Sequence, residues 1–564
     1  MRSSGRFRRA EFLFWLPVVS SILLLASLAG RAGADDAPAA APDPVGSYQT
    51  TPTAASVPGY AKPDPEHATN KELATAVDAV AQSASRSYFS MNFVWVLFAG
   101  FLVMFMQAGF SLVETGLCRA KNAAHTMSMN FLVYAVGMTA FFICGFAFLY
   151  GGVNGTFIGG PTSMGGVPTL DSMFKVGQNG WGLFGTTGFM LTGKAYDAQV
   201  IVMFLFMMVF MDTTATIPTG ALAERWNLKS FFIFSLFIGG IIYPIFGCWV
   251  WGGGWLAQLG KLAGIGHGLV DYAGSSVVHL QGGALALITC WLLGPRIGKY
   301  DANGKPKPIL GHNIPMVILG TFILAFGWFG FNAGSSLAAA DGRIGIVAVN
   351  TMLASASGAL ATCLYMWFVY GKPDPSMMCN GMLAGLVAIT CPCAFVAPWA
   401  AFLIGAIAGV LVVWSVFFFE KRGLDDPVGA ISVHGVNGAW GILALGLFAD
   451  GTYGGGWNAV DGNVVGVFYN ASLGAKQLAA QGIGVLVCIT WNVVVGGVIF
   501  FLIGKMLGSN RVPAEVEIAG LDVPEMGVPG YPEYITPVAP ETVPESIVAE
   551  AREQLRVPTL ATAS

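Results

Sequence analysis

The chain has 564 residues, of which 55% are hydrophobic and only 10% charged, with a formal net charge of −3 and a mean hydropathy of +0.65. An ordinary soluble chain carries roughly 25% charged residues, and a chain this long needs a large polar surface in water. A soluble enzyme, a nucleic-acid binder and a disordered protein are therefore excluded; the balance of charge leaves no basic footprint for DNA or RNA.

Residues 1–34 read as a secretory signal peptide. Arg2, Arg6, Arg8 and Arg9 precede an apolar run from Phe12 to Leu28, and Ala32-Gly33-Ala34 fits the small-x-small cleavage rule. Residues 35–70, rich in Ala, Pro and Asp, read as a linker. A short, weakly amphipathic helix over 71–86 completes an extracytoplasmic region, 35–90. From Met91 onward, apolar stretches of about 20 residues recur, the length that crosses ~30 Å of hydrocarbon. The pattern predicts eleven transmembrane helices near 91–115, 126–150, 198–223, 229–252, 272–294, 311–331, 343–371, 378–397, 399–419, 429–449 and 480–504. They form a transmembrane domain, 91–505, followed by a Pro- and Glu-rich tail, 506–564.

Basic residues orient the spans. With the N-terminus outside, thirteen Lys and Arg lie in the inward loops and C-terminal flank, among them Arg119, Arg225, Arg296, Lys421 and Arg511. Five lie outward: Lys175, Lys194, Lys261, Arg343 and Lys476. The N-terminus is therefore out, the C-terminus and its tail in, and the Gly- and Thr-rich loop 151–197 external. The 75 glycines have no Gly-X-Y period; in an apolar chain they let helices approach closely. The nine cysteines have neither disulfide-framework nor zinc spacing, and Cys391-Pro-Cys393 reads as packing.

Ionisable residues at membrane depth are costly and are functional candidates by default. Asp271 opens the fifth span, and His279 lies eight residues deeper, about 12 Å along a helix. His434 lies in the tenth span; each histidine follows a valine. Spans one to five and six to ten then read as a 5+5 inverted repeat, with a final long helix added. Five spans per half invert the second half and bring the histidines towards a common axis. Two neutral imidazoles can share a proton in an apolar bore. Such a lining suits a small polar molecule and a separately moving proton, and suits a hydrated metal ion poorly. For Asp271, capping of a helix start is an equally physical role. Trp251 before Gly252-Gly253-Gly254, the run Trp328-Phe329-Gly330-Phe331 up to Ser335, and Phe206 with Phe210 are each open to core or belt packing. Together they would offer aromatic faces to a desolvating cation, with the Ser335 hydroxyl as partner.

The runs Gly220-Ala-Leu-Ala-Glu-Arg225, Trp251-Gly-Gly-Gly, Asp271-Tyr-Ala-Gly with His279, Gly327-Trp-Phe-Gly-Phe-Asn-Ala-Gly-Ser335 and Val433-His434-Gly resemble the ammonium transporter family (Amt/Mep/Rh), on the bacterial and plant Amt side. Arg511-Val512, Gly520-Leu-Asp522 and Gly527 in the tail are also similar, so the resemblance covers roughly 90–532. It implies an all-α polytopic homotrimer with one pore per subunit, the inverted repeat, and a cytoplasmic (inner) membrane location. Trp251, Phe210, Ser335, the Ala273 carbonyl and Asp271 look like the outer ammonium recruitment site. Phe210 and Phe331 look like a stacked phenyl gate, His279 and His434 like twin pore histidines, and Trp328 like a pore-lining aromatic. The function implied is recruitment of ammonium, its deprotonation, and conduction of ammonia with the proton relayed separately. Other readings are an ammonium sensor with little flux, and a passive gas channel of the Rh kind.

No metal, cofactor or hydrolytic constellation is expected, and no Gly-Lys-Ser/Thr phosphate loop appears; the chain reads as non-enzymatic. Two departures stand out. Asp212 follows Phe210 by two residues, where the family carries a small residue. Pro524 and Met526 replace residues often Thr or polar, and His, in relatives, which argues against a phosphorylation switch. The retained Gly520-Leu-Asp522 turn is compatible with docking of a PII-type nitrogen regulator.

Overall fold

The computed structural model describes residues 71–152, 170, 172–339, 341–532 and 543–556. The signal peptide and linker expected over 1–70 lie outside the described residues. Eleven apolar helices follow one another: α1 Lys71–Leu117, then α2 Ala120–Tyr150, α3 Ala198–Ala221, α4 Leu228–Ala263 (interrupted at 251–254), α5 Ser275–Leu293, α6 Ile314–Ser336, α7 Ile344–Tyr370, α8 Pro375–Thr390, α9 Pro398–Lys421, α10 Ile431–Phe448 and α11 Ala471–Leu507. Ten are long and apolar enough to cross a membrane; α8, with 16 residues, is shorter. A two-stranded hairpin, β1 Met173–Val176 and β2 Trp181–Gly185, lies in the connection between α2 and α3.

Several boundaries differ from the sequence reading, and three have a clear local cause. The short helix expected over 71–86 is continuous with the first span, because no Gly or Pro interrupts residues 71–99. Helix α8 stops at Thr390 because Pro392 cannot continue it. The Asn350 amide then takes up the Cys393 and Val396 carbonyls, at 2.9 and 2.8 Å. Helix α11 starts nine residues early, where the Asn470 side chain caps the Leu473 N–H.

Glycine sets how closely the helices approach. A Cβ on Gly109 would stand 2.9 Å from the Gly320 carbonyl, and one on Gly320 would stand 2.7 Å from the Gly109 carbonyl. This reciprocal contact joins α1 to α6. Helices α5 and α10 meet more tightly still: a Cβ on Gly283 would lie 2.2 Å from the Gly435 nitrogen. Large apolar residues on α1, α6, α7 and α9 point away from this core, including Phe98, Phe101, Phe322, Trp367 and Trp414. Without bulk water around them, such faces carry no hydrophobic penalty in lipid.

At the end of the bundle opposite the hairpin, the tail is bound tightly. The Arg511 guanidinium donates to the Leu293 and Pro295 carbonyls and to Glu517. The short helix α12, Ala514–Ala519, ends on carbonyls that accept from the Lys121 ammonium. Asp522 accepts from the His125 and Gly530 N–H groups. Gly520 has φ 108° and lies so close to Lys121 that a Cβ would meet its carbonyl at 2.6 Å. The Gly520-Leu-Asp522 turn therefore faces the chain's own loop; it anchors the tail. Helix α13, Glu545–Arg556, packs Val548 and Ala551 against the α12 region.

Beside the tail, Glu224 accepts from the Arg119 N–H and Nε, at 2.6 and 2.5 Å. The Asp425 carboxylate takes Arg296 through Nε and Nη2, at 2.8 and 2.9 Å. Burial alone would raise both carboxyls. For Glu224 the nearby Arg296 and Arg119 outweigh it, and for Asp425 Arg296 and Arg225 do, so both lie below the ordinary carboxylate range. Their stabilising contribution is present above the unfolded value of about 4 and is lost as pH falls through the depressed folded values. Thermal unfolding in detergent is expected at falling temperatures below about pH 4, and Asp425→Asn is expected to flatten that decline. Gly283→Ala is expected to destabilise by about 1–3 kcal/mol through overpacking. In the same assay Gly482→Ala, whose Cβ meets nothing within 4 Å, is expected to be neutral or better.

Candidate functional site

Helices α5 and α10 each open with a π-helical turn that carries the histidine, Ser275–Leu280 and Ile431–Val436. Such wide turns are uncommon and concentrate at functional sites. Each is capped by an aspartate eight residues before its histidine. Asp271 Oδ1 accepts from the Gly274 and Ser275 N–H groups, at 2.9 and 3.0 Å. Its Oδ2 accepts from the Ser276 and Val277 N–H groups and the Ser276 hydroxyl, at 2.7, 3.1 and 2.6 Å. Asp426 accepts in the same way from the Val428, Gly429 and Ile431 N–H groups. Carboxylates here satisfy orphan donors and meet the positive ends of the helix dipoles. Asp426 was missed from sequence; the repeated Asp-x7-His spacing was the signal that would have found it.

The two helices meet closely at Gly283 and Gly435, just beside these turns, and the imidazoles come together. His279 Nδ1 and His434 Nδ1 are 3.1 Å apart, with ring planes 17° from parallel. Both rings are buried. His279 stacks on Trp328 at 5.2 Å and on Phe331 at 5.4 Å, and Phe110 lies against His434 at 6.1 Å. The Trp328 indole N–H donates to the Thr390 hydroxyl at 2.9 Å, so the end of α8 fixes its plane. His279 Nε2 has no partner although it is fully buried.

Next along the file, towards the hairpin end, Phe210 and Phe331 stack at 4.1 Å and 27°. Phe206 lies 4.7 Å from Phe210, and Trp251 presents its ring at 6.1 Å and 76°. The Trp251 indole N–H donates to the Asp271 carbonyl at 2.7 Å. The cap thus orients the tryptophan as well as the histidine helix. Ser335 donates its hydroxyl to the Phe331 carbonyl at 2.6 Å, which leaves the hydroxyl oxygen as an acceptor. Ala273 is buried beside this region, its N–H donating to the Thr390 carbonyl.

The structure therefore gathers Trp251, Phe210, Phe331, Trp328, His279 and His434 into one file. Ser335 is tied to the file through Phe331. Asp271 is different: both of its carboxylate oxygens are taken up by the turn it caps. Among the described residues no group of three His, Cys, Asp or Glu is placed to hold a metal ion. The arrangement can hold a cation against aromatic faces, occlude it with two phenyl rings, and offer hydrogen bonds to a small molecule beyond them.

The model of the Ammonium Transporter Family matches residues 94–531. Ammonium transporter Amt2 of Archaeoglobus fulgidus is 45% identical over 79% of this chain and 89% of its own length. Ammonium transporter 1 member 3 of Solanum lycopersicum is 34% identical over 78% and 93%. Among solved structures, one titled Sensor Amt Protein aligns with a TM-score of 0.66 and 34% identity, covering 78% of this chain and 99% of that one. Mep2 of Saccharomyces cerevisiae aligns with a TM-score of 0.62 and 26% identity, over 75% and 87%. With its helical membrane bundle and a match that spans nearly all of it, the chain belongs to the ammonium transporter family.

Proposed function

We propose that the chain conducts ammonium as ammonia and a proton that travel separately. The observation that carries this reading is the file itself: an aromatic vestibule, a closed pair of phenyl rings, and two hydrogen-bonded imidazoles. Ammonium is held on the faces of Trp251 and Phe210 by cation–π attraction, worth about 0.5–2 kcal/mol. It donates to the Ser335 oxygen and the Ala273 carbonyl. Taking the ion further would strip its water inside an apolar bore, at a cost no pair of rings can offset. Loss of a proton removes that cost. Ammonia passes when Phe210 and Phe331 part, and then donates and accepts hydrogen bonds along the histidines. Potassium has no proton to lose and stays outside.

The hairpin end faces outward and the tail end the cytoplasm, in keeping with the thirteen basic residues on the tail side against five. On the same reading the chain has eleven spans, sits in the cytoplasmic membrane and assembles as a homotrimer. The last expectation rests on the resemblance, and the broad exposed apolar faces of α1, α6, α7 and α9 are compatible with it. A PII-type regulator, if it docks, meets a cytoplasmic face on which the Gly520–Asp522 turn is already engaged. Asp271 supports recruitment through the Trp251 it orients and the turn it caps.

A second reading, an ammonium sensor, has one specific support: the likeness to the structure titled Sensor Amt Protein. Flux separates the two. In proteoliposomes an ammonium pulse is expected to give a transient current that potassium does not. His279→Ala with His434→Ala is expected to abolish it while the protein remains monodisperse; an unaltered ammonium-specific current would sink the assignment of the histidines to the conduction path. Binding without current or uptake would favour the sensor. Trp251→Ala is expected to raise the half-saturating ammonium concentration about 2–30-fold, from the loss of roughly 0.5–2 kcal/mol of cation–π binding, with the maximal current less affected.

A further inference from the structure

The hairpin between α2 and α3 has no part in the mechanism above, yet it is built onto the break in α4 that carries Trp251. The first half of α4 ends at Trp251, whose N–H donates to the Gly247 carbonyl at 2.7 Å. Gly252-Gly253-Gly254 then turn the chain, with Gly253 at φ 72°, and the helix resumes at Trp255. Three glycines in a row leave such a turn free to swing. Trp251 is tied by its indole N–H to the Asp271 carbonyl at 2.7 Å, and a single hydrogen bond leaves the ring able to pivot. Its stance towards Phe210 therefore depends on what holds the backbone of the break.

Strand β2 ties both flanks of that break. Before it, the Trp249 indole N–H donates to the Leu183 carbonyl at 2.9 Å. After it, Gln258 Oε1 accepts from the Gly182 N–H at 3.0 Å. Adjacent residues of one strand thus grip both halves of α4. The strand is bare where it passes the glycines: a Cβ on Gly182 would lie 3.3 Å from Gly254 Cα and 3.5 Å from the Gly253 carbonyl. The end of α2 anchors both partners. A Cβ on Gly252 would overlap the Leu149 carbonyl, and one on Gly185 of β2 would overlap the Ala147 carbonyl. Just past β2, the Thr187 hydroxyl donates to the Gly151 carbonyl at 2.6 Å.

We propose that β2 is a strap that positions Trp251, with Trp249 and Gln258 as positioning residues for ammonium recruitment. The proposal rests on the recruitment reading above. Trp249 packs in a separate aromatic cluster, 5.8 Å from Trp255 and 4.9 Å from Trp491, and acts on the ion through the backbone it tethers. By bridging the break, the strap joins both halves of α4 into one rigid piece and fixes the height and tilt of the Trp251 ring. The ring then faces the vestibule before ammonium arrives, so binding does not have to order it. Cutting either bond frees the three-glycine turn, and the ring spends part of its time away from the ion.

The test uses the full chain in proteoliposomes and reads the half-saturating ammonium concentration and the maximal current separately. Gln258→Leu removes the acceptor, and Trp249→Phe removes the donor while keeping an aromatic ring. Each is expected to raise the half-saturating concentration about 2–10-fold, the range of one hydrogen bond, with the maximal current retained. Gln258→Glu, which still accepts from the Gly182 N–H, is expected to stay at or below the wild-type value. In a Trp251→Ala background Gln258→Leu is expected to add nothing, because it acts through that ring. If Gln258→Leu is not monodisperse, Trp249→Phe takes its place in both backgrounds. Half-saturation unchanged in both variants overturns the proposal, and so does an undiminished shift in the Trp251→Ala background; either result leaves the recruitment reading standing. Absence of a wild-type ammonium current, or a half-saturation that Trp251→Ala itself does not move, overturns that reading and the proposal with it.

Discussion

The hydrogen bond between two imidazoles, Nδ1 to Nδ1 at 3.1 Å, is the contact around which the rest of the molecule is arranged. Two bare nitrogens would repel, and two N–H groups would clash. One ring must donate and the other accept. The donor ring then carries a bare Nε2 and the acceptor ring an Nε2–H, so the outer edges of the pair offer one acceptor and one donor. Charging both rings would place two like charges in contact at membrane depth. The pair therefore stays polar without fixed charge.

That contact demands unusual local structure, and the chain provides it twice. Each histidine sits on a π turn, and each turn is capped by an aspartate eight residues earlier. The helices carrying them must nearly touch, so side chains are absent at Gly283 and Gly435. The same principle spreads outward through Gly109 and Gly320. Trp328, held by Thr390, presses on one face of His279, and the ring of Phe331 on the same file stacks on Phe210. Asp271 is the clearest economy. One residue caps the histidine turn with its carboxylate and aims Trp251 with its carbonyl.

Much of this was legible in the sequence because lipid narrows the choices. Apolar runs of span length give the helices, and rare polar residues inside them are the candidates for function. His279, His434, Phe210, Phe331 and Trp251 were all found in that way or through the family motifs. Helix ends were less legible, since a span is delimited by lipid thickness but a helix by caps and breakers. Thus α1 runs on from Lys71, and α8 halts at Thr390. Thr390 escaped because its partner, the Trp328 indole, comes from a distant helix, whereas Asp426 caps its own turn. No local pattern encodes such partners, although the second Asp-x7-His interval was there to be read.

The most direct measurement is solid-state nitrogen NMR on protein with labelled histidine, reconstituted in bilayers at neutral pH. The account predicts a coupling between the two Nδ1 nuclei, one protonated and one bare, with neither ring charged. Substitution of His279 or His434 should remove that coupling. Two rings both protonated at Nε2 with no Nδ1–Nδ1 coupling would contradict it, and so would a stable imidazolium.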